Sequence, residues 1–228
     1  MSRQILVDFD IMGFTIYQGY GLTESSPVLT CNFPGENRYG SVGKPLAGVE
    51  IKIAGPEAEG EILARGPNIM MGYHKRQDLT AEVLDAEGWL HTGDIGHLDK
   101  EGYLYITGRA KDVIVTAAGM KVFPEEIEQL MKNIPAFKES AVLGITVKKG
   151  VLKESEEVAG VIVPNEGYSN QDIHHAIDQL NHRLPLHKRI VKVLIRKEEL
   201  QKTRLLKVKK YIIRKELEHD IRSESLLN

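Results

Sequence analysis

The sequence has a single cysteine, Cys31, a single tryptophan, Trp89, and only 6% aromatic residues. A disulfide within the chain is excluded, which fits a reducing compartment. Cys31, between Thr30 and Asn32, reads as a small packing residue with no chemistry of its own. No apolar run approaches the roughly 20 residues of a membrane-spanning helix. The opening Met1-Ser2-Arg3-Gln4-Ile5-Leu6 has no signal-peptide core, so a cytoplasmic location is expected, with contact at a membrane surface left open. Neither sign of charge dominates. A formal net charge of -2 over 228 residues supplies no global attraction to nucleic acid. Internal repeats and low-complexity segments are absent.

What is present is ordinary for a globular chain: 42% hydrophobic and 27% charged residues, with a length that suits one large domain or two small ones. The first half is rich in glycine and short alternating runs. Val49-Glu50-Ile51-Lys52-Ile53 alternates as a half-buried strand does, and Glu61-Ile62-Leu63-Ala64-Arg65 follows as the second arm of a hairpin. Residues 97–106 read as strand, turn and strand, bending near Gly102.

The second half changes style. Residues 111–116 read as a strand. Pro124 with Glu125 and Glu126 opens a helix whose apolar face is Ile127, Leu130, Met131 and Ile134. Residues 141–145 and 158–163 read as strands. Ser169 and Asp172 form a capping-box-like start to a helix that buries Ile173, Ala176, Ile177, Leu180 and Leu184 and stops at Pro185. A strand over 190–195 and a helix over 211–217 complete the pattern. The predicted fold class is α+β: a β-rich, bent-sheet region over residues 1–108, then a small mixed α/β domain over 109–228. The boundary falls at the charged step Gly108-Arg109-Ala110-Lys111-Asp112.

Four segments carry candidate chemistry. In Tyr17-Gln18-Gly19-Tyr20-Gly21-Leu22-Thr23-Glu24-Ser25, the glycines admit close backbone approach and tyrosine supplies a flat face. The threonine hydroxyl suits a phosphate oxygen, and the glutamate suits a hard divalent cation. A strand end followed by a tight turn accounts for the same residues without any ligand. In Gly88-Trp89-Leu90-His91-Thr92-Gly93-Asp94, the carboxylate after a glycine turn suits two ribose hydroxyls, although an aspartate there also serves plain turn chemistry. The third segment runs from Gly108 to Glu128 and the fourth from Leu200 to Lys210.

In content and order, these four segments resemble the adenylate-forming superfamily of acyl-CoA synthetases, luciferases and peptide-synthetase adenylation domains. The stretches from Gly40 to Glu50 and from Gly60 to Tyr73 resemble its long-chain fatty acid–CoA ligase group. The resemblance covers nearly the whole chain. It implies ATP and coenzyme A as co-substrates, with an acyl carrier protein as the alternative acceptor, AMP as a product, Mg2+, and a fatty acid or other carboxylic acid. It also implies residue roles. Tyr20, with Gly21 behind it, would stack on adenine. Thr23 would bond the α-phosphate and Glu24 would bind magnesium. Asp94 would hold the ribose, with Arg109 beside it. Lys111 would be the hinge between a large and a small domain, Gly119 would line the pantetheine tunnel, and Lys207 would bridge carboxylate and ATP during adenylation.

Two departures stand out. The superfamily's Ser/Thr/Gly-rich phosphate loop ending in Pro-Lys-Gly would lie upstream of Tyr20, yet none of the nineteen residues before Tyr20 resembles it. The expectation is therefore a C-terminal piece of a ligase, inactive alone and prone to self-association through uncovered apolar patches. Near the catalytic lysine, Gln201 and Leu206 stand where proline and glycine are usual. Lys202 and Lys209 lie close enough to compete, but the match Lys202-Thr203-x-x-x-Lys207 favours Lys207.

Rival readings are weaker. Residues 188–215 hold twelve lysines and arginines against two acids. That stretch suits nucleic acid or an anionic membrane surface, but Tyr211 is its sole aromatic, so base stacking has little support and no nucleic-acid partner is expected. His174, His175, His182 and His187 cluster without i, i+4 spacing or partner cysteines, which argues against zinc. His91 is expected to be structural.

Overall fold

The computed structural model describes residues 3–147, 155–203 and 208–225. The chain separates into two compact units, residues 1–111 and 112–228.

The first unit opens with helix α1 (Arg3–Ile11), which the sequence pattern did not suggest. Three two-residue strands follow as a small antiparallel sheet: β1 (Gly19–Tyr20), β2 (Thr30–Cys31) and β3 (Lys44–Pro45). The main sheet is an antiparallel meander of β4 (Glu50–Ile53), β5 (Gly60–Arg65), β6 (Leu90–Leu98) and β7 (Leu104–Arg109), with helix α2 (Gln77–Val83) between β5 and β6. Both predicted hairpins are present. Gly102 stands in the second at φ +83°, a left-handed turn conformation that glycine adopts freely. Ile62, Ala64, Leu90 and Leu104 are buried on the meander.

The predicted strand over 111–116 is shorter than expected. Ala110–Asp112 forms a 3-10 turn, and only Ile114–Val115, strand β8, is extended, pairing with β9 (Lys121–Val122). The charged residues Lys111 and Asp112 have no apolar alternation to bury, so the backbone turns there before Ile114 enters the core.

The second unit is layered. Helix α3 (Pro124–Met131) begins at Pro124, and α4 (Asn170–Arg183) follows the β10–β11 pair. Strand β10 (Phe137–Val147) runs antiparallel to β11 (Ser155–Pro164), and β12 (Lys192–Ile195) lies parallel to β11. Successive side chains of a strand point to opposite faces, and here the two faces have different partners. Val142, Val158 and Ile162 pack with Ile127 and Met131 of α3 and Ile173, Ile177 and Leu180 of α4. Ala141, Leu143, Ala159, Val161 and Val163 pack with Ile213 and Leu217 of α5 (Lys210–Ser225). This explains the unbroken apolar run 158–163, since a strand covered on both faces needs no polar side. On α3 one expectation fails: Leu130 is 37% exposed, because the helix packs through Ile127 and Met131 and turns Leu130 to its edge. The capping box at Ser169 is real. Its hydroxyl accepts from Asp172 N–H at 3.3 Å, and the Asp172 carboxylate accepts from Ser169 N–H at 2.7 Å.

Glu125, in the first turn of α3, is half-buried, and its Oε2 has no hydrogen-bond partner among the described residues. Burial raises its pKa above the ordinary carboxylate value, against the opposing pull of Lys210. A folded-state pKa above the unfolded one contributes stability that is complete below the unfolded pKa and lost as pH rises through the folded pKa. Glu125→Gln should therefore raise the denaturation midpoint of the second unit near pH 7. The gain should fade as the pH falls through the raised folded-state pKa and be gone below the ordinary glutamate value, about pH 4.

Candidate functional site

The site in the first unit is built on a fault in its sheet. Between β5 and β6 the register passes from Leu63↔His91 to Glu61↔Ile95, so Thr92, Gly93 and Asp94 stand opposite a single residue, Ile62. Bulges of this kind leave backbone groups without ladder partners and re-aim side chains. Here side chains replace the lost ladder bonds. Thr92 Oγ1 donates to the Ile62 carbonyl at 2.8 Å and accepts from Asp94 N–H at 3.2 Å. Glu61 Oε1 accepts from Gly93 N–H at 3.0 Å, while its Oε2 lies 3.0 Å from His91 Nδ1. Gly93 sits at φ +70°, which a glycine meets without strain.

The bulge presents the buried carboxylate of Asp94 to two partners. Tyr20, on β1, donates its hydroxyl to Asp94 Oδ2 at 2.7 Å. Arg109 lies directly across the β6–β7 ladder, with Nε 3.0 Å from Asp94 Oδ1. Both carboxylate oxygens are thus engaged by residues 74 positions before and 15 positions after in sequence. The Tyr20 hydroxyl has its pKa raised, chiefly by burial and further by the adjacent Asp94 carboxylate, so it stays a hydrogen-bond donor across the neutral range.

Next to Tyr20 the chain turns sharply. A Cβ on Gly21 would lie 1.8 Å from the Pro27 carbonyl oxygen, so only glycine fits. Thr23–Ser25 is one 3-10 turn, fastened by Ser25: its Oγ accepts from Leu22 N–H at 2.9 Å. Thr23 is exposed and Glu24 half-buried. Glu24 Oε1 accepts from the Tyr73 hydroxyl at 2.8 Å. The other oxygen has no bond to the protein among the described residues. This donor set fits the magnesium that the resemblance implies, because Mg2+ is commonly held through one or two carboxylates together with substrate phosphates and water. Among the described residues no group of three or more His, Cys, Asp or Glu could hold a metal by itself.

The remaining predicted residues lie elsewhere. Lys111 is exposed, in the 3-10 turn that ends the first unit. Gly119 is at the tip of the β8–β9 hairpin with φ +75° and open space around it, and its N–H donates to Thr116 O at 2.8 Å. Lys207 lies outside the described residues. Of its two competitors, Lys202 is ion-paired with Glu139, whose Oε2 also accepts from Leu200 N–H at 2.7 Å. The basic stretch is heavily paired: Lys188 with Glu126, Arg196 with Glu216, Lys210 with Glu128 and Arg214 with Glu156. Sequence reasoning missed Glu61, Thr92, Asn68 and Tyr73 as supports of the site. The adjacency of Thr92 and Asp94 was visible, but nothing in the spacing links Glu61 to Gly93 or Tyr73 to Glu24.

The fold of the chain matches a class of solved structures. The chain aligns over 94–95% of its length with adenylate-forming enzymes, among them the o-succinylbenzoate CoA synthetase of Bacillus subtilis in complex with its acyl-adenylate intermediate, at a TM-score of 0.78 and 30% identity over 43% of that chain. The models of the AMP-binding enzyme family and of its C-terminal domain match residues 4–74 and 111–224. The chain belongs to the AMP-binding enzyme family. It is 43% identical over 136 residues to a long-chain-fatty-acid–CoA ligase of Bos taurus, covering 58% of this chain and 19% of that protein. It is 40% identical over 146 residues to a 2-succinylbenzoate–CoA ligase of Bacillus cereus, covering 60% of this chain and 30% of that one. The chain thus spans a third or less of the length of these curated relatives. Among the described residues no helix is long and apolar enough to cross a membrane.

Gly21→Ala should disrupt the 22–28 turn, because the added methyl meets backbone rather than a movable side chain. The expected cost is about 2 kcal/mol or more. Hydrogen exchange should speed up locally at Leu22, Ser25 and Leu29, with the second unit unaffected.

Proposed function

We propose that the protein carrying this chain ligates a long-chain fatty acid to coenzyme A through an acyl-adenylate. The observation that carries the reading is the Tyr20–Asp94–Arg109 cluster, which pairs an aromatic face with a buried carboxylate as a nucleoside requires. In this reading the Tyr20 ring stacks on adenine, backed by Gly21. Asp94 exchanges its protein bonds for the ribose hydroxyls, and Arg109 keeps that carboxylate in place. Thr23 bonds the α-phosphate, and Glu24 holds Mg2+, which when bound neutralises phosphate charge.

In the first step a carboxylate oxygen of the acid attacks the α-phosphorus of ATP and pyrophosphate leaves. Two anions must meet, so a cation between them lowers the barrier, and Lys207 is assigned that position. In the second step the coenzyme A sulfur attacks the acyl carbon, the thiol proton is released and AMP departs. The two steps need different groups at one place. We assign Lys111 as the hinge about which the second unit turns, withdrawing Lys207 and bringing the Gly119 hairpin to line the thiol's path. Its position at the end of the first compact unit supports this.

The fatty acid is favoured by the 43% identity to the bovine long-chain ligase. The 40% identity to a 2-succinylbenzoate–CoA ligase supports an aromatic dicarboxylic acid as the second reading. Acid-dependent AMP release by the full-length gene product, with palmitate or 2-succinylbenzoate and with or without coenzyme A, separates them: turnover with palmitate is expected, and turnover with 2-succinylbenzoate alone reverses the assignment. Lys207→Ala should lower adenylation by a factor on the order of 10² to 10³ while leaving thioester formation from supplied acyl-adenylate intact. Retained adenylation refutes the role given to Lys207.

The first unit exposes Ile11, Met12, Phe14, Tyr17 and Phe33. This supports self-association of the 228-residue chain when it is isolated. Light scattering should show a mass that rises with concentration, and a monomer throughout the range would contradict it.

A further inference from the structure

Thr23 and Glu24 lie on a turn that Ser25 fastens from within and a second loop holds from outside. Ser26 closes it at φ 53°, in the left-handed region that side chains other than glycine and asparagine seldom occupy. A further restraint comes from a loop distant in sequence, residues 66–73. Asn68 Nδ2 donates to the carbonyls of Ser25 and Val28, both at 2.9 Å. Met70 N–H donates to the Glu24 carbonyl at 2.8 Å, and the Tyr73 hydroxyl reaches the Glu24 side chain at Oε1.

The loop has its own anchor. Tyr73 N–H donates to Thr80 Oγ1 at 2.9 Å, and that hydroxyl donates in turn to the Arg76 carbonyl, tying Tyr73 to α2. Gly72 takes φ +141° with Thr80 packed against it: a Cβ there would meet the Thr80 side chain at 2.9 Å. A continuous path of bonds therefore runs from α2 through Thr80 and Tyr73 to the Glu24 carboxylate.

A hydroxyl on one carboxylate oxygen fixes the plane of the group and leaves the other oxygen as the donor to a cation. Supporting bonds of this kind orient metal ligands and tune their affinity. We propose that Tyr73 is a positioning residue for the nucleotide site, holding Glu24 so that Oε2 meets the phosphate-bound cation, and that Asn68 acts with it by holding the turn. The proposal rests on the role given to Glu24 above.

The test uses the full-length gene product and two direct binding measurements. Calorimetry measures adenosine, which reaches the Tyr20–Asp94 end of the site but brings no phosphate. Electron paramagnetic resonance measures Mn2+ in the presence of a non-hydrolysable ATP analogue. Tyr73→Phe should bind adenosine as the parent does and bind Mn2+ about tenfold more weakly, the scale of a lost hydrogen bond to a charged group. Asn68→Ala should likewise leave adenosine binding unchanged and weaken Mn2+ binding, which guards against an effect peculiar to Tyr73. Glu24→Gln is the reference. If it weakens Mn2+ binding while Tyr73→Phe does not, the positioning role is overturned alone. If Glu24→Gln leaves Mn2+ binding intact, the assignment of Glu24 falls and the positioning role with it. An equal loss of adenosine and Mn2+ affinity in Tyr73→Phe marks general damage to the fold and also overturns the proposal.

Discussion

A buried carboxylate must be surrounded by donors, and in the first unit that requirement is concentrated on Asp94. Taking such a group out of water costs several kcal/mol unless hydrogen bonds and charge replace the lost hydration. Tyr20 and Arg109 supply the replacement, so three segments separated in sequence must converge for the unit to fold. The same convergence creates the site. The tyrosine ring is held beside the carboxylate, and the arginine is locked across the ladder. One set of bonds both satisfies the buried carboxylate and fixes the tyrosine and the arginine beside it.

The bulge in β6 is the second device. A regular ladder would send Thr92, Gly93 and Asp94 alternately to the two faces and engage their backbone groups with β5. Crowding three residues opposite Ile62 frees the Asp94 side chain but strands backbone donors and acceptors, and Thr92 and Glu61 satisfy them. His91 is held by the same Glu61. The second unit works differently. Its central strands are buried on both faces, and the helices that cover them were foreseeable from apolar spacing.

Legibility followed the range of the interactions. The helix opening at Pro124, the capping box at Ser169 and the meander strands depend on residues a few positions apart, and all were readable. Short-range pattern also misled. The apolar residues of 111–116 suggested a strand where Lys111 and Asp112 instead make a turn, and Leu130 fitted a helical face that packing left at the edge. Helix α1 escaped notice because Arg3–Ile11 is short and carries two acids, Asp8 and Asp10, in its second half. At the site, Tyr20, Asp94 and Arg109 were identified through the order of motifs, whereas their supports were not. The lysine-rich stretch looked like a charged surface because sequence spacing hides its partners: Glu126, Glu139, Glu128 and Glu156 lie on other elements.

The sequence by itself determined the kind of fold, the change of architecture near residues 108–112, and the motifs that tie the chain to AMP-binding enzymes. These follow from side-chain periodicity, turn chemistry and the linear order of short segments, all local properties. Tertiary structure alone decided that the Tyr20 hydroxyl meets Asp94, that a three-residue bulge presents that carboxylate, that Lys202 is committed to Glu139, and that Tyr73 reaches Glu24. Each joins groups tens of residues apart, and their meeting depends on sheet register and on how far each loop reaches. Linear spacing does not encode those quantities, because a shift of one residue in register turns a strand's side chains to its other face.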